Sequence, residues 1–147
     1  MVAAEMAPDE IDDFLESRGS GTLSLAKEGE AYAIPESFGY DGEFIYFQLA
    51  AREGSRKMSF IETTDVATFT VWAEEPARSI VARGTIEPVP ETDVTVAANA
   101  IAENASLPTL NVLPDSTLDD QTMVYYRLIP RSLSGRAFGT DPETIAD

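Results

Sequence analysis

The chain has 147 residues, enough for one domain, and its 26 acidic and 10 basic residues give a formal net charge of −16. It contains neither cysteine nor histidine. These two absences exclude a disulfide framework, thiolate or histidine metal sites, histidine-ligated haem and a serine–histidine–aspartate triad. We therefore predict a single domain over residues 1–147 with no metal centre.

The acidic residues are spread along the whole chain between well-patterned apolar segments. This spread disfavours an acidic disordered tail, and no concentrated row of carboxylates suggests mimicry of nucleic acid. We favour adaptation to molar salt, where screening lengths fall to about 3 Å and repulsion between acids becomes tolerable. Nucleic-acid binding is not expected with this charge. Because neither a signal peptide nor a membrane-spanning apolar run is visible, we expect a cytoplasmic protein without a membrane partner.

The first third of the chain predicts a helix followed by an antiparallel meander. Pro8 and the acids after it are typical of a helix start, and Arg18 and Gly19 of a helix end. Strand-like runs follow over residues 22–26, 31–38 and 43–49. Pro35 lies inside the second run, so we expect that strand to be an edge strand or to contain a bulge.

The remainder of the chain predicts two more helices and three more strands. A short helix follows Gly54-Ser55, and a longer one covers residues 91–104. Strands are expected over residues 66–73, 79–89 and 123–133, with Trp72 in the core or at a dimer interface. The apolar residues of residues 107–120 follow neither a helical nor a strand period. The tail after Phe138 is expected to be mobile. The six strands predict a mainly β, α+β fold: a closed or nearly closed antiparallel barrel with peripheral helices.

The segment Gly54-Ser55-Arg56-Lys57 carries the clearest chemical signal. It follows a strand and opens a helix, where free backbone N–H groups and the positive end of the helix dipole favour an anion. Arg56 can bind two oxygens of one anion, Lys57 adds a compact charge, and Arg52 lies just upstream. A phosphate monoester fits this cluster best. The alternative is that these cations pair with neighbouring acids such as Glu62 on a solvated face.

Five segments, taken in order, resemble the FMN-binding split barrels, the family of pyridoxamine 5′-phosphate oxidase-like and nitroimidazole-resistance-type proteins. They are Gly21-Thr22-Leu23-Ser24-Leu25, Tyr32-Ala33-Ile34-Pro35-Glu36-Ser37-Phe38, Ile45-Tyr46-Phe47, Gly54-Ser55-Arg56-Lys57 and Ser79-Ile80-Val81-Ala82-Arg83-Gly84. The similarity covers roughly residues 9–90, with a weaker match at residues 126–130. The resemblance implies a six-stranded antiparallel split β-barrel of the kind found in haloarchaea.

The resemblance also implies a cofactor site. The segment Ser55, Arg56 and Lys57 would hold the FMN phosphate. The strand residues Ala33, Ile34, Pro35 and Ser37 would lie along the isoalloxazine ring, and Phe47, Gln48 and Leu49 would border the ribityl chain. The family usually forms homodimers with two flavins at the interface, so Arg136 is a candidate contact from the second subunit.

The leading hypothesis is therefore an FMN-dependent oxidoreductase of unassigned small-molecule substrate, in which the flavin carries the chemistry. No catalytic residue is identified. The chain ends in an acidic, histidine-free segment at residues 139–143, so pyridoxamine 5′-phosphate oxidase activity itself is not expected. One alternative is a reductase of the same fold that uses deazaflavin F420, whose acidic tail would need a longer basic groove. The other is a non-enzymatic barrel that stores flavin or binds a partner.

Overall fold

The structure, a computed structural model, describes residues 2–52, 54–112, 114–120 and 122–138. The acidic end at 139–143 and the tail expected to be mobile lie outside the described residues. The strands are β1 (Ala4–Glu5), β2 (Ser20–Lys27), β3 (Glu30–Ser37), β4 (Gly39–Tyr40), β5 (Ile45–Ala51), β6 (Ala67–Glu74), β7 (Ala77–Pro88) and β8 (Thr122–Ala137). The helices are α1 (Pro8–Glu16), α2 (Arg56–Thr63) and α3 (Val94–Asn104), with short 3-10 turns at Glu91–Asp93 and Leu118–Asp120.

All strands form one antiparallel sheet in the order β3-β2-β6-β7-β8-β5-β4, with β1 paired to the end of β8. Six of these are the long strands that the sequence predicts. The strand count differs from the prediction because β1 and β4, of two residues each, are too short to show a pattern. β3 lies at one edge of the sheet, as Pro35 predicts, and is hydrogen-bonded to β2.

The sheet curls around a core made from the inward side chains of the long strands. Leu23, Ile34, Phe47, Phe69 and Ile80 are typical members, and α1 covers one end of the core with Ile11, Phe14 and Leu15. A second cluster lies on the outer face of β5, where α3 packs on Tyr46. The prediction that Trp72 could be in the core is wrong: it alternates with Val71 along β6, points outward and is 53% exposed.

The longest pairing, between β7 and β8, contains a bulge. The register shifts between Arg83 and Gly84, so that Gly84 lies opposite Pro130 while Arg83 lies opposite Ser132. The extra residue on β8 lets the two strands bend together over the core. Glycine at position 84 suits this bend, because it leaves room for the close approach of the β8 backbone.

Few of the acidic residues in the described part of the chain are paired with cations. Within the described ranges, ion pairs involve two cations, Lys57 with Glu36 and Arg127 with Glu87 and Asp93. The remaining acids repel one another through solvent, and that repulsion is screened only by dissolved salt. The charge distribution therefore gives a physical reason for salt dependence.

We expect the melting temperature to fall steeply when the protein is moved from molar salt into dilute buffer. Circular dichroism at a series of sodium chloride concentrations measures this. Sucrose, which does not screen charge, serves as the control and should not replace salt at low ionic strength. A melting temperature that is insensitive to salt would contradict the prediction.

None of the helices among the described residues is both long and apolar enough to cross a membrane.

Candidate functional site

The start of α2 is shaped by Gly54 and Ser55. Gly54 has a φ of +77°, a conformation that glycine adopts without strain, and it turns the chain from the end of β5 into the helix. Ser55 is the N-cap, and its Oγ accepts a hydrogen bond of 3.2 Å from the N–H of Met58. The N–H groups of Arg56 and Lys57, in the first turn, have no acceptor within the helix. The predicted anion-binding geometry is thus present in the backbone.

A cleft of about 390 Å³ opens beside this turn. Its lining combines β3, the end of β5, the start of α2 and the irregular segment before β8: Tyr32, Ala50, Arg52, Gly54, Ser55, Arg56, Lys57, Asn111, Val112 and Pro114. No acidic residue is among these described lining residues. A second cleft, of about 630 Å³, lies on the other side of Gly54-Ser55 and is bordered by Glu62. The first cleft is therefore the better match to an anion.

Four of the ten basic residues surround the start of α2. Arg52 and Arg56 are exposed, and the Arg56 guanidinium lies 5.9 Å from the ring centre of Tyr32. Lys27, at the end of β2, donates a 2.6 Å hydrogen bond to Ser59 on the same helix. Within the described residues, neither Arg52 nor Arg56 forms an ion pair, so both remain able to bind an anion.

Lys57 differs from its neighbours because it points into the protein and is only 5% exposed. Its Nζ donates to the main-chain oxygen of Asn111 at 3.0 Å and to that of Ala50 at 3.5 Å. It also lies 4.0 Å from Oε2 of Glu36, a carboxylate with no exposed surface. The alternative noted for the cations, pairing with the protein's own acids, therefore applies to Lys57, although this residue also lines the cleft.

Burial dominates the protonation of this pair. Removal from solvent raises the pKa of Glu36 above its usual value, while the hydrogen bond from Thr109 and the charge of Lys57 act in the opposite direction. Burial likewise lowers the pKa of Lys57, and the carboxylate of Glu36 partly restores it. Each group thus supports the charged form of the other.

The residues expected to contact the flavin ring and ribityl chain lie in different environments. On β3, Ala33 and Pro35 are exposed on the outer face, whereas Ile34 is in the core and Ser37 is buried near the end of the strand. Phe47 and Leu49 are fully buried core residues of β5. None of them is among the described lining residues of the cleft.

Gln48 and Arg136 lie elsewhere. Gln48 is half-buried on the outer face of β5 and borders a groove of about 340 Å³ formed with α3 and residues 105–108. Its neighbour on that face is Ala50, which lines the cleft beside α2. Arg136 is exposed near the far end of β8, fourteen residues beyond Thr122, which borders the second cleft. Within one chain Arg136 does not reach the cleft, and its role as a second-subunit contact stays a prediction.

Sequence reasoning missed Glu36 and Thr109. Thr109 Oγ1 donates to Glu36 Oε1 at 2.5 Å, and both side chains are buried. The alternation in β3, with Ala31, Ala33 and Pro35 on one face, would have placed Glu36 on the inward face, and an inward carboxylate is a signal in itself. No comparable signal exists for Thr109, because residues 107–120 lack a period.

The fold is shared with several solved structures. The chain is similar to a provisionally named pyridoxamine 5′-phosphate oxidase from Corynebacterium glutamicum ATCC 13032 Kitasato, with 23% identity, 95% of this chain and 100% of that chain covered, and a TM-score of 0.70. It is also similar to a FAD-binding protein from Mesorhizobium loti, with 17% identity, 95% of this chain and 100% of that chain covered, and a TM-score of 0.71. A third similar structure is a provisionally named 5-nitroimidazole antibiotic resistance protein from Bacteroides thetaiotaomicron, with 14% identity, 94% of this chain and 89% of that chain covered, and a TM-score of 0.69. These similarities confirm the predicted split-barrel fold.

Comparison with curated proteins gives no match. A family model described as pyridoxamine 5′-phosphate oxidase matches residues 7–137, which is most of the chain and includes every described part of the cleft. The resemblance noted in the sequence is thereby confirmed at the level of the family. The chain belongs to the pyridoxamine 5′-phosphate oxidase family.

Proposed function

We propose that the cleft at the start of α2 binds the phosphate of FMN, with Ser55, Arg56 and Lys57 as the phosphate-binding segment. The observation that carries this proposal is two exposed guanidinium groups, Arg52 and Arg56, which form no ion pair within the described part of the chain. They lie beside first-turn N–H groups that have no acceptor within the helix, in a chain of net charge −16. In such a chain, cations that are not neutralised by nearby acids favour an external anion. Lys57 contributes positive charge to the cleft wall rather than a free ammonium group.

The surroundings of the cleft suit the remainder of a flavin. Leu107 and Leu110, on the segment that borders both the cleft and the neighbouring groove, are 51% and 43% exposed. Gln48 and Ala50 connect the groove and the cleft along one face of β5, roughly 7 Å apart for two residues of a strand. An elongated ligand with an anionic end and a flat apolar end fits this arrangement, and the FAD-binding relative supports a flavin.

When bound, the flavin supplies hydride or electron transfer, and the chain's own residues hold and orient it. The lack of histidine and cysteine is compatible with this role because hydride transfer needs no protein nucleophile. We therefore propose an FMN-dependent oxidoreductase of unassigned substrate, acting in a salty cytoplasm as a homodimer in which Arg136 of each subunit approaches the other's flavin. The M. loti relative makes FAD a second candidate cofactor, and F420 remains the alternative with a longer anionic tail.

We expect Arg56→Ala to weaken FMN binding by about 1.5–3 kcal/mol, roughly 10- to 150-fold, because a charge-assisted hydrogen bond to phosphate is lost. Arg56 is the suitable position since it is exposed, so its removal leaves the core intact. Titration of the apoprotein with FMN in high salt, followed by flavin fluorescence, measures the change.

Arg18→Ala is the matched control. Arg18 is also an exposed arginine, but it lies just after α1 and packs over Phe14 of that helix instead of lying at the start of α2. It should leave FMN affinity unchanged. Parallel titrations with FAD and F420 identify the preferred cofactor. Equal affinity of the Arg56→Ala and wild-type proteins would remove the site assignment, and a wild-type protein without affinity for any flavin would favour a partner-binding barrel.

A further inference from the structure

One wall of the cleft is made by an irregular segment without helix or strand, residues 109–112, which leads towards β8. Asn111 and Val112 from this segment line the cleft. Such a segment has no hydrogen-bonded ladder to hold it, so its position depends on individual side-chain contacts. Those contacts come from two buried charged residues on other elements.

Glu36 makes the first set of contacts, from β3. Its Oε1 accepts hydrogen bonds from the hydroxyl of Thr109 at 2.5 Å and from the N–H of Leu110 at 3.3 Å. Lys57 makes the second contact, from α2, by donating to the main-chain oxygen of Asn111 at 3.0 Å. Three consecutive residues of the wall are therefore tied to the barrel by one carboxylate and one ammonium group.

The two charged groups also hold each other in place. Oε2 of Glu36 has no hydrogen-bond partner among the described residues, and the nearest cation is Nζ of Lys57 at 4.0 Å. Glu36 and Thr109 are buried and are not among the described lining residues of the cleft. Their contacts can therefore affect a ligand through the wall that they support, through Lys57, which Glu36 contacts and which lines the cleft, or through the charge of Glu36.

We propose that Glu36 is a positioning residue for the cleft: through Thr109, Leu110 and the Lys57 contact it holds residues 109–112 where they form the cleft wall. Its effect on ligand affinity rests on the proposed function, whereas its effect on the wall does not. A purely electrostatic role makes the opposite prediction, because removing a negative charge near the cleft would strengthen the binding of a phosphate.

Thr109→Val tests the wall without changing any charge. In the ligand-free protein we expect the amide of Leu110 to exchange its hydrogen about tenfold faster, as loss of one hydrogen bond to a carboxylate weakens the contact. Thr109→Ser, which keeps the hydroxyl, should restore slow exchange. Thr68→Val is the control, since the Thr68 hydroxyl makes no hydrogen bond within the described residues. Unchanged exchange at Leu110 in Thr109→Val would overturn the proposal.

Glu36→Gln decides between positioning and charge through the sign of its effect on FMN affinity. Positioning predicts about tenfold weaker binding of FMN in Glu36→Gln, because an amide oxygen accepts a hydrogen bond more weakly than a carboxylate does. It predicts a similar loss in Thr109→Val, which has no hydroxyl to donate, and wild-type affinity in Thr109→Ser, with a matching change in bound-flavin fluorescence. Tighter binding in Glu36→Gln with no change in Thr109→Val would overturn it. Glu103→Gln, an exposed site on α3, controls for the loss of one acid. If the wild-type protein binds no FMN, the proposed function fails, while exchange at Leu110 still decides whether Glu36 holds the wall.

Discussion

Replacing Gly84 with alanine is expected to destabilise the protein by more than about 4 kcal/mol, or to prevent folding, which places it among the most damaging single substitutions. A Cβ at this position would lie 1.9 Å from the main-chain oxygen of Ile129 and 2.8 Å from its carbonyl carbon. Both atoms belong to the backbone of β8, so no side-chain rotation can relieve the overlap. Relief requires β7 and β8, the longest strand pair, to separate at the bulge.

Urea unfolding followed by circular dichroism measures this effect. Gly29→Ala is the control: Gly29 has a φ of +81° but open space around it, so alanine there adds only local backbone strain of about 1 kcal/mol. If Gly84→Ala lowers the free energy of unfolding no more than Gly29→Ala does, then β7 and β8 do not approach each other this closely at Gly84.

Lys57→Met is the second substitution with a large expected effect. It leaves Glu36 as a fully buried carboxylate without its cation, which costs about 3–5 kcal/mol of the free energy of unfolding. The same urea experiment measures this cost. The double variant Glu36→Gln with Lys57→Met should recover at least half of the lost stability, because no buried charge remains and the amide oxygen can still accept from Thr109.

The pH dependence of Lys57→Met separates this cause from a packing defect. Burial raises the pKa of Glu36 in the folded protein, and loss of Lys57 raises it further. The folded state then binds the proton at a higher pH than the unfolded state does, so stability falls as pH rises between the two pKa values. The difference in the free energy of unfolding between Lys57→Met and the wild type should therefore become smaller towards acidic pH. A difference that does not change with pH would indicate lost packing alone.

Much of the fold follows from local patterns in the sequence. The period of two in β6 and β7 and the helical stripe of α3 give their inward faces, and Pro35 identifies the edge strand. The end of β8 is less predictable: Gly135 interrupts the pattern, yet the strand continues to Ala137 because it pairs there with β7 and β1. Ile80 and Met6 occupy the space where a Cβ of residue 135 would be. Such packing between distant segments leaves no local trace.

The site is predictable in a similar way. Ser55 and Arg56 are found at the start of α2 because capping and clustered cations are local signals. The inward direction of Lys57 is set by Glu36 and by Asn111, which is 54 residues away in the chain. A contact over that separation, to a segment without a period, depends on the assembled fold.

The edge position of Pro35 also bears on how copies of this protein can associate. Proline in an edge strand turns its nitrogen, which carries no hydrogen, towards the open side of the sheet. A further strand added beside β3 would lack one main-chain donor at that point, which disfavours continuous sheet extension into fibrils. Growth of an extended sheet from this edge is therefore disfavoured, and the homodimer proposed above would have to form through side-chain surfaces.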